Sequence, residues 1–364
     1  MSEMRGRYRF GITGCGVIFG AHAAAIAALE NAELVAVADI VEEKARRAAA
    51  ERSHGANPHV YTDYREMLKR DDIDIVSVCT PSGMHADMAC DAMNAGKHVI
   101  VEKPMDVTLK ACDKLIETWR RTGRKATVIS QHRFADGIQA LKAAIDKGKF
   151  GKIALVDSYT KWYRSHEYYR SGDWRATWEL DGGGALMNQS VHYVDLMQWM
   201  AGDVDYLFGI CSNAWHDIAV EDTASATIRF KNGTIGTLEG TTAANPGLSQ
   251  QLDVMGEFGT VSIVGSKIRV WEFVNDEPKA EVQSEDGSNR AEGASDPAAI
   301  SWDLHTRQYK DFVDALDSGT DPLITPVEAR KPVEIILAVY QSARTGQPVK
   351  FPLDPEVTFV GTRF

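Results

Sequence analysis

Four short stretches in the first part of the chain combine residue types that can do chemistry with positions where chemistry is usually found. Gly14-Cys15-Gly16 follows an apolar run and opens a helical one. A glycine pair there lets the backbone turn tightly and approach a pyrophosphate, which then rests against the helix N-terminus. Asp39 closes the second apolar run. A carboxylate at that place accepts hydrogen bonds from ribose hydroxyls and repels a 2′-phosphate, and no Arg immediately follows it, so the pattern favours NAD over NADP. Thr80-Pro81-Ser82 ends a third run and leads to His85, and Glu102-Lys103-Pro104 ends a fourth. Plainer readings stand beside these: a bare turn for the glycines, a helix N-cap for Asp39, an N-cap with a surface imidazole for Thr80 and His85, and a surface lysine for Lys103. The usual dinucleotide pattern has a third small residue, whereas Phe19 stands here and the glycine is delayed to Gly20.

The later part of the chain offers a different set. After the Gly182-Gly183-Gly184 turn, a helix is expected to run on through Met200. Asn188 and His192 are four apart on it and share a face, and Asp195, three further on, is placed to orient the imidazole. Residues 161–178 are dense in aromatic and polar side chains. Aromatic faces with polar forks suit a sugar ring, so Trp162, Tyr163, Arg164, Trp174 and Arg175 are candidate substrate contacts; an oligomer interface draws on the same residue types. Arg133 is a candidate for cofactor or substrate contact, with a surface role equally open, and His305 is a candidate substrate contact. His166, His192, His216 and His305 have no Cys or second His at ligand spacing, so no metal, and no zinc dehydrogenase, is expected.

The elements that must hold these residues alternate in the first half. Apolar runs at 8–13, 34–39, 73–80, 98–102 and 125–131 are separated by helical stretches at 21–29, 42–52, 63–69, 84–95 and 108–121. Short apolar strands alternating with helices imply a parallel sheet covered on both faces, with ligands at the carboxyl ends of its strands. The second half changes period. Residues 224–230 and 234–239 flank Asn232-Gly233, a hairpin turn signal, and residues 261–264 and 268–273 flank a turn at Gly265-Ser266. These read as antiparallel strands solvated on one face. Ile138, Leu141 and Ile145 mark a helix ending at Gly148; residues 275–298 read as a surface loop; two helices follow near 305–317 and 327–345. The domain boundary falls at Gln131–His132, giving residues 1–131 to a dinucleotide-binding domain and 132–364 to a substrate-binding and oligomerisation domain.

The chain has 364 residues, 44% hydrophobic and 25% charged, which supports two domains with real cores. A formal net charge of −11 argues against general nucleic-acid binding, and Arg5, Arg7 and Arg9 read as a solvated leader into the first strand. No apolar run reaches the roughly 20 residues of a membrane span, and no secretion signal is visible. Cys15, Cys79, Cys90, Cys112 and Cys211 form no C-x-x-C pair and cannot all pair in one chain, which fits reduced thiols in the cytoplasm.

Taken together, the motifs resemble the Gfo/Idh/MocA oxidoreductases. The matching stretches are Gly14-Cys-Gly16 with His22, Thr80-Pro-Ser-x-x-His85, Gly96-Lys-His-Val-x-x-Glu-Lys-Pro104, Gly182-Gly-Gly-Ala-Leu-Met-Asn-Gln-Ser-Val-His-Tyr-Val-Asp195 and residues 339–346. The resemblance implies an N-terminal α/β Rossmann domain with a parallel sheet and a C-terminal α+β domain with an open, mainly antiparallel sheet. It implies NAD held by Gly14, Gly16, Val17, Ile18, Asp39, Thr80, Pro81, His85, Glu102 and Lys103, with Lys103 catalytic beside the nicotinamide and substrate alcohol. His192 is the second catalytic candidate, because oxidising a secondary alcohol needs a base for the hydroxyl proton as hydride leaves. Asn188 and Ser190 stand where many members carry Asp and Gly, and Asn188-Gln189 resembles the branch acting at C3 of nucleotide-linked or glycosidic hexoses. The expected function is an NAD-dependent dehydrogenase of a hexose, glycoside or nucleotide sugar. Its alternatives are a redox-recycling enzyme with tightly held NAD, an inositol dehydrogenase, or a silent NAD and sugar sensor. The family also implies a homodimer or homotetramer.

Overall fold

The computed structural model describes residues 7–265, 267–274 and 302–364. The expected loop at 275–298, the Ser266 half of one turn and the Arg5 end of the basic leader lie outside them. The chain divides into two compact units, Met1–Gln131 with Ser301–Arg330, and His132–Ile300 with Lys331–Phe364. The sequence reading kept everything past residue 131 in the second domain. The structure returns the helix Asp303–Ser318 to the first unit, because Tyr309, Phe312 and Val313 on its inner face complete the apolar core around Phe10, Ile12, Phe19 and Ile26.

The first unit is built on six strands: β1 (Tyr8–Thr13), β2 (Ala32–Ala38), β3 (His59–Tyr61), β4 (Ile75–Val78), β5 (His98–Val101) and β6 (Ala126–Val128). They pair in the order β3-β2-β1-β4-β5-β6, all parallel. β4 is buried at every position, as a strand covered on both faces must be. Strand order reverses between β1 and β4, so the loops after these two strands part to opposite faces and leave a crevice at the carboxyl edge. Gly14 closes β1 with φ +92°, and a β-carbon there would lie 2.4 Å from the carbonyl oxygen of Cys79 at the end of β4, so only glycine lets the two strand ends approach this closely.

The second unit carries β7 (Ile153–Lys161), β8 (Val204–Ser212), β9 (Thr223–Phe230), β10 (Ile235–Thr241), β11 (Gln251–Gly256), β12 (Gly259–Val264), β13 (Lys267–Phe273) and β14 (Val349–Lys350). The order is β13-β12-β11-β7-β10-β9-β8-β14, with β7 and β10 parallel and every other pair antiparallel. The helix Val191–Ala201 packs on β7 and β11. The opposite face is open: on β9, Ala224, Ala226, Ile228 and Phe230 are buried while Ser225, Thr227 and Arg229 are exposed. β3, β8 and β11 were not legible as strands. In β8 the outward residues Tyr206, Phe208 and Ile210 are themselves apolar, so the alternation that marks a half-buried strand is absent. No helix among the described residues is long and apolar enough to cross a membrane.

The expected single helix through residues 185–200 is two pieces. Ala185–Ser190 is a π-helical turn, with the Ser190 hydroxyl donating to the carbonyl of Ala185, and the α-helix starts at Val191. Asn188 and His192 are therefore not related by plain α-helical spacing. Two buried carboxylates hold this stretch. Asp195 takes the guanidinium of buried Arg133 on both oxygens, at 2.8 and 2.6 Å, and Arg133 stacks over the Trp199 ring. Glu221 accepts from the backbone amides of Gly184 and Leu186 and from the Tyr340 hydroxyl. Gly184 must be glycine, since a β-carbon would lie 1.7 Å from the Glu221 carbonyl oxygen.

Burial pushes the Glu221 carboxyl up from 4.5 to about 7, against the pull of its three donors. Below the unfolded value it is protonated in both states. As pH rises the unfolded chain ionises first, so this group's contribution to stability is lost through about pH 7. Between pH 5 and pH 8 the wild type should therefore lose more melting temperature than Glu221→Gln, whatever the variant's absolute stability. Equal pH slopes for the two proteins would remove this role.

Candidate active site

In the first unit, the crevice at the β1 and β4 ends fits a dinucleotide. The helix Phe19–Ala27 begins with no side-chain cap, Ile18 standing at its N-cap, so its first amides can receive an anion. A β-carbon on Gly16 would meet nothing within 4 Å, which leaves the backbone open to close approach. Arg52, unforeseen in the sequence, donates to the carbonyls of Gly16 and Val17 at 2.7 and 3.0 Å and braces the loop. Asp39 accepts from the amides of Cys15 and Val41, each at 2.9 Å, and thereby ties the loop after β1 to the loop after β2. A carboxylate has roughly four acceptor positions, so it can still receive ribose hydroxyls. Val17 and Ile40 flank it with 71% and 87% exposure, apolar surface that a bound nucleotide would cover. The Thr80 hydroxyl is buried and has no protein partner, as expected of a group awaiting a ligand.

His85 is not the surface imidazole of the plainer reading. It is buried, with Nδ1 2.7 Å from the Pro104 carbonyl oxygen and Nε2 2.8 Å from that of Thr80. Its ring straps the Thr80-Pro81 loop to the loop after β5. Asp106 adds a second clip on that loop by accepting from the amides of Ala86 and Val107.

Lys103 sits half-buried at the end of β5. Directly before it, the Glu102 carboxylate is buried and accepts from the Lys103 amide at 3.0 Å on one oxygen, while the other lies 2.8 Å from His22 Nε2. His305 Nε2 is 3.8 Å from the same oxygen. Burial pushes the Glu102 carboxyl up, but His22, His305 and the positive Lys103 outweigh it and hold the group well below the usual carboxylate range. His305 is 1% exposed, so the structure places this expected substrate contact inside the first unit, against Glu102. Burial pushes His305 down, more than Glu102 raises it. The ligand-type atoms of His22, Glu102 and His305 all lie within 4.8 Å of one another, a grouping that sequence spacing does not show. Glu102 already serves two N–H donors, so the cluster is organised as hydrogen bonds around an anion.

In the second unit, most of the expected substrate residues gather around Tyr168, which sequence reasoning missed. The Arg164 and Arg175 guanidiniums lie 5.4 and 4.2 Å from its ring centre. Arg164 also covers Trp162, and Arg175 covers Trp174, at 4.8 and 4.6 Å. The Tyr168 hydroxyl accepts from Arg175 and from Gln189. Asn188 donates to buried Asp181 at 2.6 Å, so a carboxylate stands beside the position where the sequence lacks one. Gln189 Oε1 and Trp162 Nε1 are buried with no protein partner. Polar atoms left this way on an aromatic wall suit a polyol. Tyr163 turns elsewhere, with its ring 5.5 Å from Trp215. Arg133 is committed to Asp195 and is 1% exposed, which removes it from the surface. His192 is buried beside His132, ring centres 4.9 Å apart, a neighbour the sequence did not announce.

Known proteins share this organisation. Residues 8–130 match the model of an oxidoreductase family with an NAD-binding Rossmann fold, and residues 138–262 match a GFO/IDH/MocA C-terminal domain. The chain is similar to the WlbA dehydrogenase of Bordetella pertussis, solved in complex with NADH and UDP-GlcNAcA: 31% identity over 96% of this chain and 100% of that one, TM-score 0.85. It is 32% identical over 234 residues to 1-carboxy-3-chloro-3,4-dihydroxycyclo hexa-1,5-diene dehydrogenase of Comamonas testosteroni, covering 62% of this chain and 55% of that protein. It is 31% identical over 188 residues to glycosyl hydrolase family 109 protein 1 of Shewanella sp. (strain ANA-3), covering 49% and 41%. The chain thus spans about half the length of these two curated relatives. With its NAD-binding Rossmann unit and its matching second domain, the chain belongs to the Gfo/Idh/MocA oxidoreductase family.

Proposed function

We propose that the protein oxidises a ring hydroxyl, or reduces the corresponding ketone, on a hexose unit, with C3 of a nucleotide-linked or glycosidic hexose as the site. The observation that carries this is Lys103, fixed at the end of β5 in a unit whose loops are shaped for NAD. When bound, the nicotinamide accepts or returns the hydride. The protein's task is to bind the sugar, exclude water and move one proton. Lys103 Nζ takes the hydroxyl proton as the alcohol is oxidised and returns it in the reverse direction. His192 is the second candidate for that proton. Arg164, Arg175, Trp162, Trp174, Asn188 and Gln189 supply an aromatic and polar wall for the sugar. The similarity to a dehydrogenase crystallised with a nucleotide sugar supports this substrate class. The likeness to a glycosyl hydrolase of family 109 favours a second reading, in which NAD stays bound and is recycled while a transient ketone drives another reaction. NAD released only on denaturation, with no net NADH during turnover, would favour that reading.

We also infer a homo-oligomer that pairs the open face of the β7–β14 sheet. Tyr206, Phe208, Ile210 and Ile235 present apolar side chains on exposed positions. Five unpaired thiols fit a reducing compartment, and we place the protein in the cytoplasm.

Lys103→Ala should lower turnover by about 100- to 10,000-fold, the usual share of a general acid–base group, while NADH still binds; a loss below about tenfold would contradict the role. His192→Asn in the same assay ranks the two candidates. Sedimentation velocity should show a dimer or tetramer that Ile210→Lys dissociates, whereas a single 40 kDa wild-type species would contradict the pairing.

A further inference from the structure

Behind Lys103, the first unit holds a row of buried polar side chains that the proposed chemistry does not use. Ser77 lies in β4, His22 in the helix Phe19–Ala27, and Tyr309 and His305 in the helix Asp303–Ser318. All are fully or almost fully shielded from solvent. Ser77 Oγ is 2.7 Å from the Tyr309 hydroxyl, which is 2.6 Å from His22 Nδ1, and His22 Nε2 is 2.8 Å from Glu102 Oε1. Glu102 Oε2 then accepts from the Lys103 amide. Four segments distant in sequence meet in one line that ends at the residue assigned to proton transfer.

We propose that Ser77, Tyr309, His22 and Glu102 form a one-directional hydrogen-bond chain that keeps Glu102 a fixed anion and makes it the positioning residue for Lys103. The direction follows from the donors available. An ionised carboxylate only accepts, so His22 carries its proton on Nε2 toward Glu102. Nδ1 is then left to accept the single proton of Tyr309, and the Tyr309 oxygen accepts from Ser77. Burial holds the Tyr309 hydroxyl well above its ordinary range, so that proton stays in place. The groups facing Glu102 are His22 from the first helix, His305 and Tyr309 from the late helix, Cys79 past the end of β4, and Lys103 itself. Cys79 remains a neutral thiol, raised by burial and by Glu102.

The chain does two things for Lys103. It clamps the main chain that carries the side chain, since one Glu102 oxygen holds the Lys103 amide and the other cannot swing away from His22. It also sets a negative charge within electrostatic reach of the Lys103 ammonium, which favours the charged form of that group. The importance of this charge to turnover rests on Lys103 being the base. The existence of the chain and its hold on Lys103 do not.

The test reads Lys103 directly. In the full-length protein saturated with NADH, the pH midpoint for acetylation of Lys103 by acetic anhydride is followed by peptide mass spectrometry. Nitrogen-15 NMR of labelled histidines reports the His22 tautomer. Glu102→Gln should lower the Lys103 midpoint by about one pH unit or more. The wild type should show His22 protonated on Nε2 with Nδ1 accepting, and Tyr309→Phe, which preserves the core shape, should shift the Nδ1 signal while NADH still binds. An unmoved Lys103 midpoint in folded, NADH-binding Glu102→Gln would overturn the proposal. Should that variant not fold, a proton on Nδ1 of His22, or a Nδ1 signal unchanged by Tyr309→Phe, overturns it instead. If Glu102→Gln moves the midpoint but Lys103→Ala keeps its turnover, the functional reading fails and the chain stands. The reverse pair of results sinks the chain alone.

Discussion

Backbone amides in loops need acceptors, and a loop that must hold a reacting group still needs acceptors that cannot move. This protein meets that constraint with buried or half-buried carboxylates placed at the ends of strands and helices. Asp39 takes the amides of Cys15 and Val41, Glu102 that of Lys103, and Asp106 those of Ala86 and Val107. In the second unit, Glu221 takes Gly184 and Leu186, and Asp222 takes Ala214, Trp215 and His216. Hydrogen bonds to ionised acceptors are stronger than neutral ones, and an anion in the interior must keep its partners or lose its charge. Each clip therefore holds both ways: the loop satisfies the acid, and the acid fixes the loop.

The clips differ in how well their charge is supported, and the difference follows local chemistry. Asp222 is held far below the ordinary range: burial pushes it up, but His216 and three backbone amides outweigh that. Glu102 is held low by two imidazoles and a lysine that outweigh its burial. Glu221 has three donors and no cation, and its burial wins. The first unit thus keeps a permanent charge beside Lys103. The second holds its glycine turn with a group whose ionisation falls near neutral pH.

Much of this was legible in the sequence wherever the signal is local. Short apolar strands alternating with helices announce a parallel sheet, and Gly14, Gly16 and Asp39 announce the tight turn and acidic strand end at its carboxyl edge, because turn geometry and strand-end chemistry are written locally. What was not legible is what joins distant residues. Tyr309 bonds a histidine 287 positions away, and Arg133 meets Asp195 across 62. No periodicity encodes such pairs. The same limit explains His305, which reads as a candidate substrate contact and lies buried against Glu102, and the strap that His85 makes between the loops after β4 and β5. The π-helical turn at Ala185–Ser190 escaped because the groups that hold its start, the Glu221 carboxylate and the close approach of the Glu221 carbonyl to Gly184, come from residues far along the chain.

A hydride that moves from sugar to nicotinamide can be followed atom by atom. Hexoses, glycosides and nucleotide hexoses carrying deuterium on their ring carbons, incubated with the protein and NAD, would be analysed by mass spectrometry of the recovered cofactor. Transfer of deuterium into the nicotinamide ring from one substrate class, absent in Lys103→Ala, is the expected result. Unlabelled, unreduced NAD with every substrate intact would contradict a sugar oxidoreductase and leave a protein that binds NAD without using it.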